Sequence, residues 1–106
     1  MGFFKDIFNL SDKGKLKEKV QTGALLVDVR SREEYYSGHV AGSINIPLHL
    51  VPVEIKKLSK ETPIVAVCES GARSNQAIHF LKSKGFEAYN GGGWRSFSRN
   101  HTKMEQ

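Results

Sequence analysis

The stretch PIVAVCESGARS, residues 63–74, decides how the rest of the chain is interpreted. Its apolar run from Ile64 to Val67 is typical of a buried strand in a parallel sheet, and this strand ends at Cys68. The small residues Gly71 and Ala72 then permit a tight turn into a helix. The sequence therefore predicts a sulfur atom at the N-terminus of a helix, where free backbone N–H groups and the helix dipole favour an anion.

Strands and helices alternate on both sides of this stretch. The predicted strands are Ala24–Val29, Ser43–Pro47, Ile64–Cys68 and Phe86–Tyr89. Ser31 and Glu34 have capping-box spacing, which predicts a short helix from Arg32 to Ser37. Further helices are predicted before Gly23, after Pro52, from the central turn to Lys84, and around Trp94 and Phe97, with a turn at Asn90–Gly93. This alternation implies right-handed βαβ units and an α/β fold, with helices on both faces of a parallel sheet.

The composition is that of one small domain from a reducing compartment. The 106 residues suffice for a single hydrophobic core. The net charge of +5 is spread along the chain without the basic, aromatic-interleaved patch of nucleic-acid binding, so no nucleic-acid partner is expected. One cysteine excludes an intrachain disulfide and a multi-thiolate zinc site, and the four histidines lack metal-ligand spacing. We therefore expect a cytoplasmic protein with no metal and no cofactor.

Residues 1–10 are rich in apolar side chains, but Lys5 and Asp6 interrupt the run and no small-residue cleavage site follows. The segment is predicted to be neither a signal peptide nor a membrane span. Its apolar stripe has helical spacing, which favours packing on the domain or a partner over lying on a membrane surface. The predicted organisation is an N-terminal extension at 1–12, a compact domain at 13–100 and a C-terminal tail at 101–106.

Cys68 is the candidate nucleophile. A free thiol has a pKa of ~8.5, and a helix N-terminus together with a nearby cation such as Arg73 lowers it. A thiolate activated in this way needs no adjacent general base, and no histidine neighbours Cys68 in the sequence. The alternative is a buried cysteine that serves packing alone. The turn containing Gly71 and Arg73 favours the thiolate, because a packing cysteine has no need of an anion-binding turn.

Three ordered blocks of the chain resemble the rhodanese sulfurtransferase family. They are DVRSREEYYSGHVAGSINIPL (Asp28–Leu48), IVAVCESGARS (Ile64–Ser74) and KGFEAYNGGGWRSF (Lys84–Phe97). The resemblance implies a rhodanese-like three-layer α/β/α fold, in which the central parallel sheet has about five strands. The family's usual first strand is not evident, so either Phe8–Leu10 replaces it or the sheet loses an edge.

The resemblance also implies sulfur transfer. Cys68 would take the outer sulfur of a donor such as thiosulfate, mercaptopyruvate or a persulfide, and would pass it to cyanide or a thiol. The resulting persulfide would be held by the backbone N–H groups of the loop formed by Glu69, Ser70, Gly71, Ala72 and Arg73. The expected partners are a small-molecule donor and a thiol acceptor, which is a small molecule or is carried by a protein. The chain itself is expected to be a monomer or a weak dimer.

Three further residues match positions of the family. Asp28 lies near the end of the first predicted strand and Arg30 follows it, so both should lie at the same sheet edge as Cys68. We expect them either to brace the loop, with Asp28 facing Arg73 as one arrangement, or to form an ordinary ion pair at the strand end. For His39 a structural role in the turn is favoured over a catalytic one, since its sequence neighbours offer no partner.

Two other functions compete with sulfur transfer. Cysteine-dependent phosphatases and arsenate reductases have a loop one residue longer between the cysteine and the arginine, whereas four residues separate Cys68 from Arg73 here. The tighter loop favours a sulfur atom over a tetrahedral oxyanion. The other competitor is a non-catalytic, rhodanese-like binding module. Glu69 stands where many thiosulfate-using members have Arg or Lys, and its charge is expected to weaken thiosulfate use if the side chain faces the site.

Overall fold

The protein was analysed as a computed structural model, which describes residues 14–105. The predicted N-terminal extension at 1–12, the candidate strand Phe8–Leu10 and the expected helix cap at Ser11 or Asp12 lie outside the described residues. These three predictions therefore stay predictions.

A parallel sheet forms the centre of the domain. Its strands in the described part of the chain are β1 (Leu25–Asp28), β2 (Ile44–Asn45), β3 (Ile64–Cys68) and β4 (Ala88–Gly93). The order across the sheet is β2-β1-β3-β4, and every neighbouring pair is parallel. The sheet thus has four strands within residues 14–105, against the expected number of about five. All of β3 is buried, as its continuous apolar sequence predicts.

Helices cover both faces of this sheet. They are α1 (residues 14–21), α2 (Arg32–Tyr36), α3 (Val51–Glu54), α4 (Ala72–Ser83) and α5 (Trp94–Glu105), with short 3₁₀ turns at Leu48–Leu50 and Ile55–Lys57 on either side of α3. Within the described residues, no helix combines the length and the apolar character that crossing a bilayer requires.

The alternating side chains of β3 divide the core into two layers. Ile64, Ala66 and Cys68 belong to the apolar cluster shared with α3 and α4. Val65 and Val67 belong to the second cluster, which includes the buried residues of α1 and α5. The three-layer α/β/α architecture is therefore confirmed, and Cys68 points toward the α4 side.

The fourth strand differs from its prediction. The sequence predicts a strand at Phe86–Tyr89 followed by a turn, but the structure extends β4 through Asn90 to Gly93. The register of β4 on β3 shifts between Ala66 and Val67, and Gly91 occupies this irregularity. A Cβ atom on Gly91 would lie 2.9 Å from Cγ1 of Val67. The glycines therefore allow the two strands to approach closely at this point. A run of glycines is equally typical of a turn, so the sequence alone does not distinguish the two structures.

The last helix is longer than predicted. Helix α5 starts at Trp94, directly after β4, and continues to Glu105, where the sequence predicts a tail from residue 101. Phe97 is buried against the sheet, in agreement with its predicted role as a core anchor. Because α5 begins where β4 ends, its first turn lies at the same sheet edge as Cys68.

Candidate active site

The sulfur atom of Cys68 lies in a nest of hydrogen-bond donors at the start of α4. Cys68 is the last residue of β3 and is 1% exposed. Its Sγ accepts hydrogen bonds from the backbone N–H of Gly71 at 3.0 Å and of Ser74 at 3.3 Å. Gly71 caps α4 with φ of 103°, a left-handed conformation that glycine adopts without strain. This turn brings free N–H groups of the helix onto the sulfur.

These donors lower the pKa of the Cys68 thiol. Burial is the largest single influence and by itself would raise the pKa. Hydrogen bonds from the Ser74 hydroxyl and from the backbone N–H groups of Ser74, Gly71 and Ser70 outweigh it, so the pKa lies below its ordinary value. The nest therefore favours the thiolate that nucleophilic chemistry requires.

Ser74 is a site residue that the sequence analysis missed. It is fully buried, and its Oγ lies 3.4 Å from the Cys68 sulfur. The missed signal is its position in the first turn after the loop, where N–H groups have no intrahelical partner. Among the loop residues predicted to hold the sulfur, Gly71 donates its backbone N–H to Sγ. The backbone N–H of Ser70 also lowers the pKa of the Cys68 thiol.

Asn90 fastens this loop to β4. Its Oδ1 accepts a hydrogen bond from the Ser74 hydroxyl at 2.7 Å, and its Nδ2 donates to the Gly71 carbonyl at 3.0 Å. The N–H of Gly92 donates to the same Oδ1 at 2.9 Å. The sequence predicts a turn at Asn90–Gly93, and a residue in a turn is not expected to lie beside β3. The contact of Asn90 with the loop was therefore not predicted.

Arg73 pairs with Glu34, which corrects one arrangement expected from the sequence. The guanidinium donates to both carboxylate oxygens, at 2.8 and 3.0 Å, so its hydrogen-bond partner is Glu34 on α2 and not Asp28, whose charge acts on Arg73 without a hydrogen bond. Glu34 also accepts from the N–H of Ser31 at 3.0 Å, and the predicted capping box is confirmed. One carboxylate therefore closes the start of α2 and anchors the active-site loop.

This pairing makes stability depend on pH. The hydrogen bond from Arg73 is the main reason that the pKa of Glu34 falls from 4.5 to about 2. A depressed carboxylate pKa contributes stability that is full above pH 4.5 and is lost as the pH falls toward 2. The substitution Glu34→Gln is expected to lower the free energy of unfolding by about 1 kcal/mol or less near neutral pH, because the pair is partly exposed.

Urea unfolding of the unmodified chain and the Glu34→Gln variant at about pH 7 and about pH 3 would measure the difference in their free energies of unfolding. The difference between the two proteins should shrink at the lower pH. A difference that stays constant or grows on acidification would contradict the assigned role of Glu34.

Asp28 and Arg30 form a buried ion pair at the same sheet edge. Their exposed fractions are 0% and 2%, and Nη2 of Arg30 lies 2.8 Å from Oδ2 of Asp28. The same Nη2 donates to the carbonyl of Gly38 at 2.7 Å, and the guanidinium lies over the ring of Trp94, 4.5 Å from its centroid. The pair therefore joins β1, the turn after α2 and the first turn of α5, which is a brace and not a surface ion pair.

The Glu69 carboxylate is held by the start of α5. It accepts hydrogen bonds from Nε1 of Trp94 at 3.3 Å and from Nη1 of Arg95, and Nη1 of Arg30 lies 3.9 Å away. The hydrogen bond from Arg95 is the main cause of a lowered pKa for Glu69. Two cations thus offset the negative charge that was expected to repel an anionic donor.

His39 packs on α2. Its Nδ1 lies 2.8 Å from the carbonyl of Tyr35, and its ring stacks on the Tyr35 ring with centroids 3.8 Å apart. Both described contacts are structural, and neither reaches the loop around Cys68.

The surroundings of the loop leave room for a small molecule. A cavity of about 620 Å³ opens beside Arg73, and its lining includes Val29, Ser31, Arg32, Leu48 and His49. Within residues 14–105, no group of three or more His, Cys, Asp and Glu side chains has an arrangement that could hold a metal ion. The backbone N–H groups of Gly71 and Ser74 can stabilise a thiolate or another sulfur anion.

Comparisons with known proteins point in one direction. The sequence model of the Rhodanese-like domain matches residues 12–100. A sulfurtransferase from Allochromatium vinosum is 37% identical over 62 residues, which are 58% of this chain and 58% of that protein. The thiosulfate sulfurtransferase GlpE of Pseudomonas savastanoi pv. phaseolicola is 35% identical over 66 residues, 62% of each protein. The crystal structure of a rhodanese-related protein from Thermoplasma volcanium has a TM-score of 0.70 at 26% identity and covers 87% of this chain and 88% of that one. The matched segment thus spans less than two thirds of either sulfurtransferase relative.

Proposed function

Because the chain belongs to the rhodanese-like domain family, we propose that it is a sulfurtransferase in which Cys68 carries the transferred sulfur as a persulfide. The observation that supports the proposal is the buried Sγ at the end of β3, which accepts hydrogen bonds from two backbone N–H groups. These bonds help to lower the pKa of the Cys68 thiol. A thiolate held in this way can act as a nucleophile without a neighbouring base.

The proposed reaction has two displacement steps. In the first, the Cys68 thiolate attacks the outer sulfur of a donor such as thiosulfate. A bond forms between Sγ and that sulfur, and the donor's S–S bond breaks with its electron pair leaving on sulfite. In the second, cyanide or an acceptor thiolate attacks the outer sulfur of the persulfide, and the Cys68 thiolate departs with the electron pair. Negative charge on the sulfur is stabilised throughout by the N–H groups of the loop.

Several donors are compatible with the site. The charge of Glu69 is offset by Arg95 and Arg30, so thiosulfate stays among the proposed donors, beside mercaptopyruvate and persulfides. The acceptor is proposed to be a thiol, either small or carried by a protein. Arg32 lines the neighbouring cavity and suits an acceptor with anionic groups, whereas the charge of Arg73 in the same lining is offset by Glu34.

Mass spectrometry of the intact protein tests the proposal directly. After treatment with thiosulfate, mercaptopyruvate or a low-molecular-weight persulfide, we expect the mass of one added sulfur atom per chain. Cyanide or a thiol should remove it, because the second displacement step returns the thiolate. Cys68 is the only cysteine of the sequence, so Cys68→Ala is a control that should acquire no sulfur. If none of these donors loads Cys68, the non-catalytic binding module becomes the better interpretation.

A further inference from the structure

The Ser74 hydroxyl has more acceptors than it has protons. Its Oγ lies 2.7 Å from Oδ1 of Asn90, 3.1 Å from the carbonyl of Gly71 and 3.4 Å from the Cys68 sulfur. A serine hydroxyl donates one hydrogen bond at a time. The proton on Ser74 can therefore serve only one of these three acceptors at a time.

The protonation state of Cys68 decides which acceptor receives this proton. While Cys68 is a thiol, its S–H can donate to Oγ, and the Ser74 hydroxyl donates to Asn90, its shortest contact. Once Cys68 is a thiolate, the sulfur can only accept, and a hydroxyl that keeps donating to Asn90 leaves two lone-pair-bearing atoms facing each other at 3.4 Å. Ionisation of the sulfur therefore favours release of Asn90 by the Ser74 hydroxyl.

When the Ser74 hydroxyl turns to the sulfur, both competing acceptors, Oδ1 of Asn90 and the Gly71 carbonyl, keep another hydrogen-bond donor. Oδ1 of Asn90 still receives the N–H of Gly92 at 2.9 Å. The Gly71 carbonyl still receives Nδ2 of Asn90 and the N–H of Asn75, each at 3.0 Å. Because a buried acceptor that keeps another donor costs little free energy, the hydroxyl can leave either competing acceptor for the sulfur.

We propose that Asn90 is a positioning residue that competes with the Cys68 sulfur for the hydroxyl proton of Ser74 and so limits the fraction of thiolate. This deepens the proposed function, since the thiolate is its nucleophile, but ionisation of the thiol needs no sulfur donor. A failure of sulfur loading would therefore leave this inference standing, and the reverse also holds.

The charged groups around the loop come from every neighbouring element. They are Arg73 on α4, Glu34 on α2, Asp28 and Arg30 at the end of β1, Glu69 in the loop itself and Arg95 on α5. Substitutions confined to Ser74 and Asn90 leave all of these charges in place. Any change in the thiol pKa can then be attributed to the hydrogen bonds.

The test follows the ultraviolet absorbance of the thiolate against pH, with Cys68→Ser as the blank. Ser74→Ala is expected to raise the pKa of Cys68 by about one unit, a roughly tenfold loss of thiolate below the pKa, because a hydrogen bond to a charged acceptor disappears. Asn90→Leu is expected to lower it by about half a unit, a roughly threefold gain, since the hydroxyl loses the nearer of its two competing acceptors and keeps only the Gly71 carbonyl. In the Ser74→Ala background the Asn90 substitution should no longer lower the pKa, and any rise seen there measures the loss of the hydrogen bond from Nδ2 of Asn90 to the Gly71 carbonyl.

Asn90→Ala separates competition from packing. Leucine fills the space of the amide and alanine does not, yet both remove the acceptor, so both should lower the thiol pKa. Should one of the two fail to fold by circular dichroism, the other still supplies the comparison. A residue that only holds the loop in shape predicts the opposite sign, because loosening the loop takes donors from the thiolate. A raised or unchanged pKa in Asn90→Leu would overturn the proposal.

Discussion

Replacing Cys68 by serine is expected to lower sulfur transfer by at least about a thousandfold while leaving the fold intact. The two side chains have nearly the same shape, so the buried site at the end of β3 can accommodate the hydroxyl. The donors at 3.0 and 3.3 Å lower the pKa of the Cys68 thiol and so favour the thiolate. A serine hydroxyl is a far weaker acid, and no described hydrogen bond links this position to a basic side chain that could take its proton.

The rate of sulfur transfer from thiosulfate to cyanide measures this effect, and circular dichroism of each variant checks that the fold is intact. Glu69→Gln is a useful comparison, because it changes a charge beside Cys68 and leaves the sulfur and its donors in place. It should retain most of the activity. Substantial transfer by Cys68→Ser would show that another group carries the sulfur. Hydrolysis of an aryl phosphate that disappears in Cys68→Ser would instead favour the phosphatase alternative.

The location of the nucleophile could be predicted from local sequence because its causes are local. An apolar run ending at Cys68, followed by Gly71 and the start of α4, is enough to specify a strand, a turn and a helix N-terminus. The capping box of Ser31 and Glu34 is equally local, since its two partners are three residues apart.

The partners that tune the sulfur could not be predicted in this way. Glu34 and Arg73 are 39 residues apart, and nothing in either segment specifies the other. The contact between Ser74 and Asn90 depends on how β4 pairs with β3, which follows from the close approach that Gly91 permits. Sequence patterns report the period and the ends of elements, whereas pairs of this kind are determined by packing between elements.

The second large effect is expected on the free energy of unfolding, when the buried ion pair between Asp28 and Arg30 is broken. Asp28→Asn keeps the size of the side chain but removes the charge opposite Arg30, whose exposed fraction is 2%. A buried guanidinium without its counterion is costly, so the free energy of unfolding should fall by about 3 to 5 kcal/mol. The Gly38 carbonyl and the Trp94 ring still contact Arg30, but neither carries a charge. The remaining carboxylate, that of Glu69, lies 3.9 Å from Nη1 of Arg30, is half-exposed and also pairs with Arg95, so it compensates only in part.

Denaturant unfolding at neutral pH measures this loss, and two comparisons make it specific. Lys57→Met breaks the exposed pair between Lys57 and Glu54, where a change of only about 0 to 1 kcal/mol is expected. Adding Arg30→Met to Asp28→Asn should recover part of the stability, because the unpaired charge is then gone. If Asp28→Asn were no more harmful than Lys57→Met, the pair could not be the brace that joins β1 to the first turn of α5. A double variant less stable than Asp28→Asn alone would show that Arg30 stabilises the fold through Gly38 and Trp94 more than the unpaired charge destabilises it.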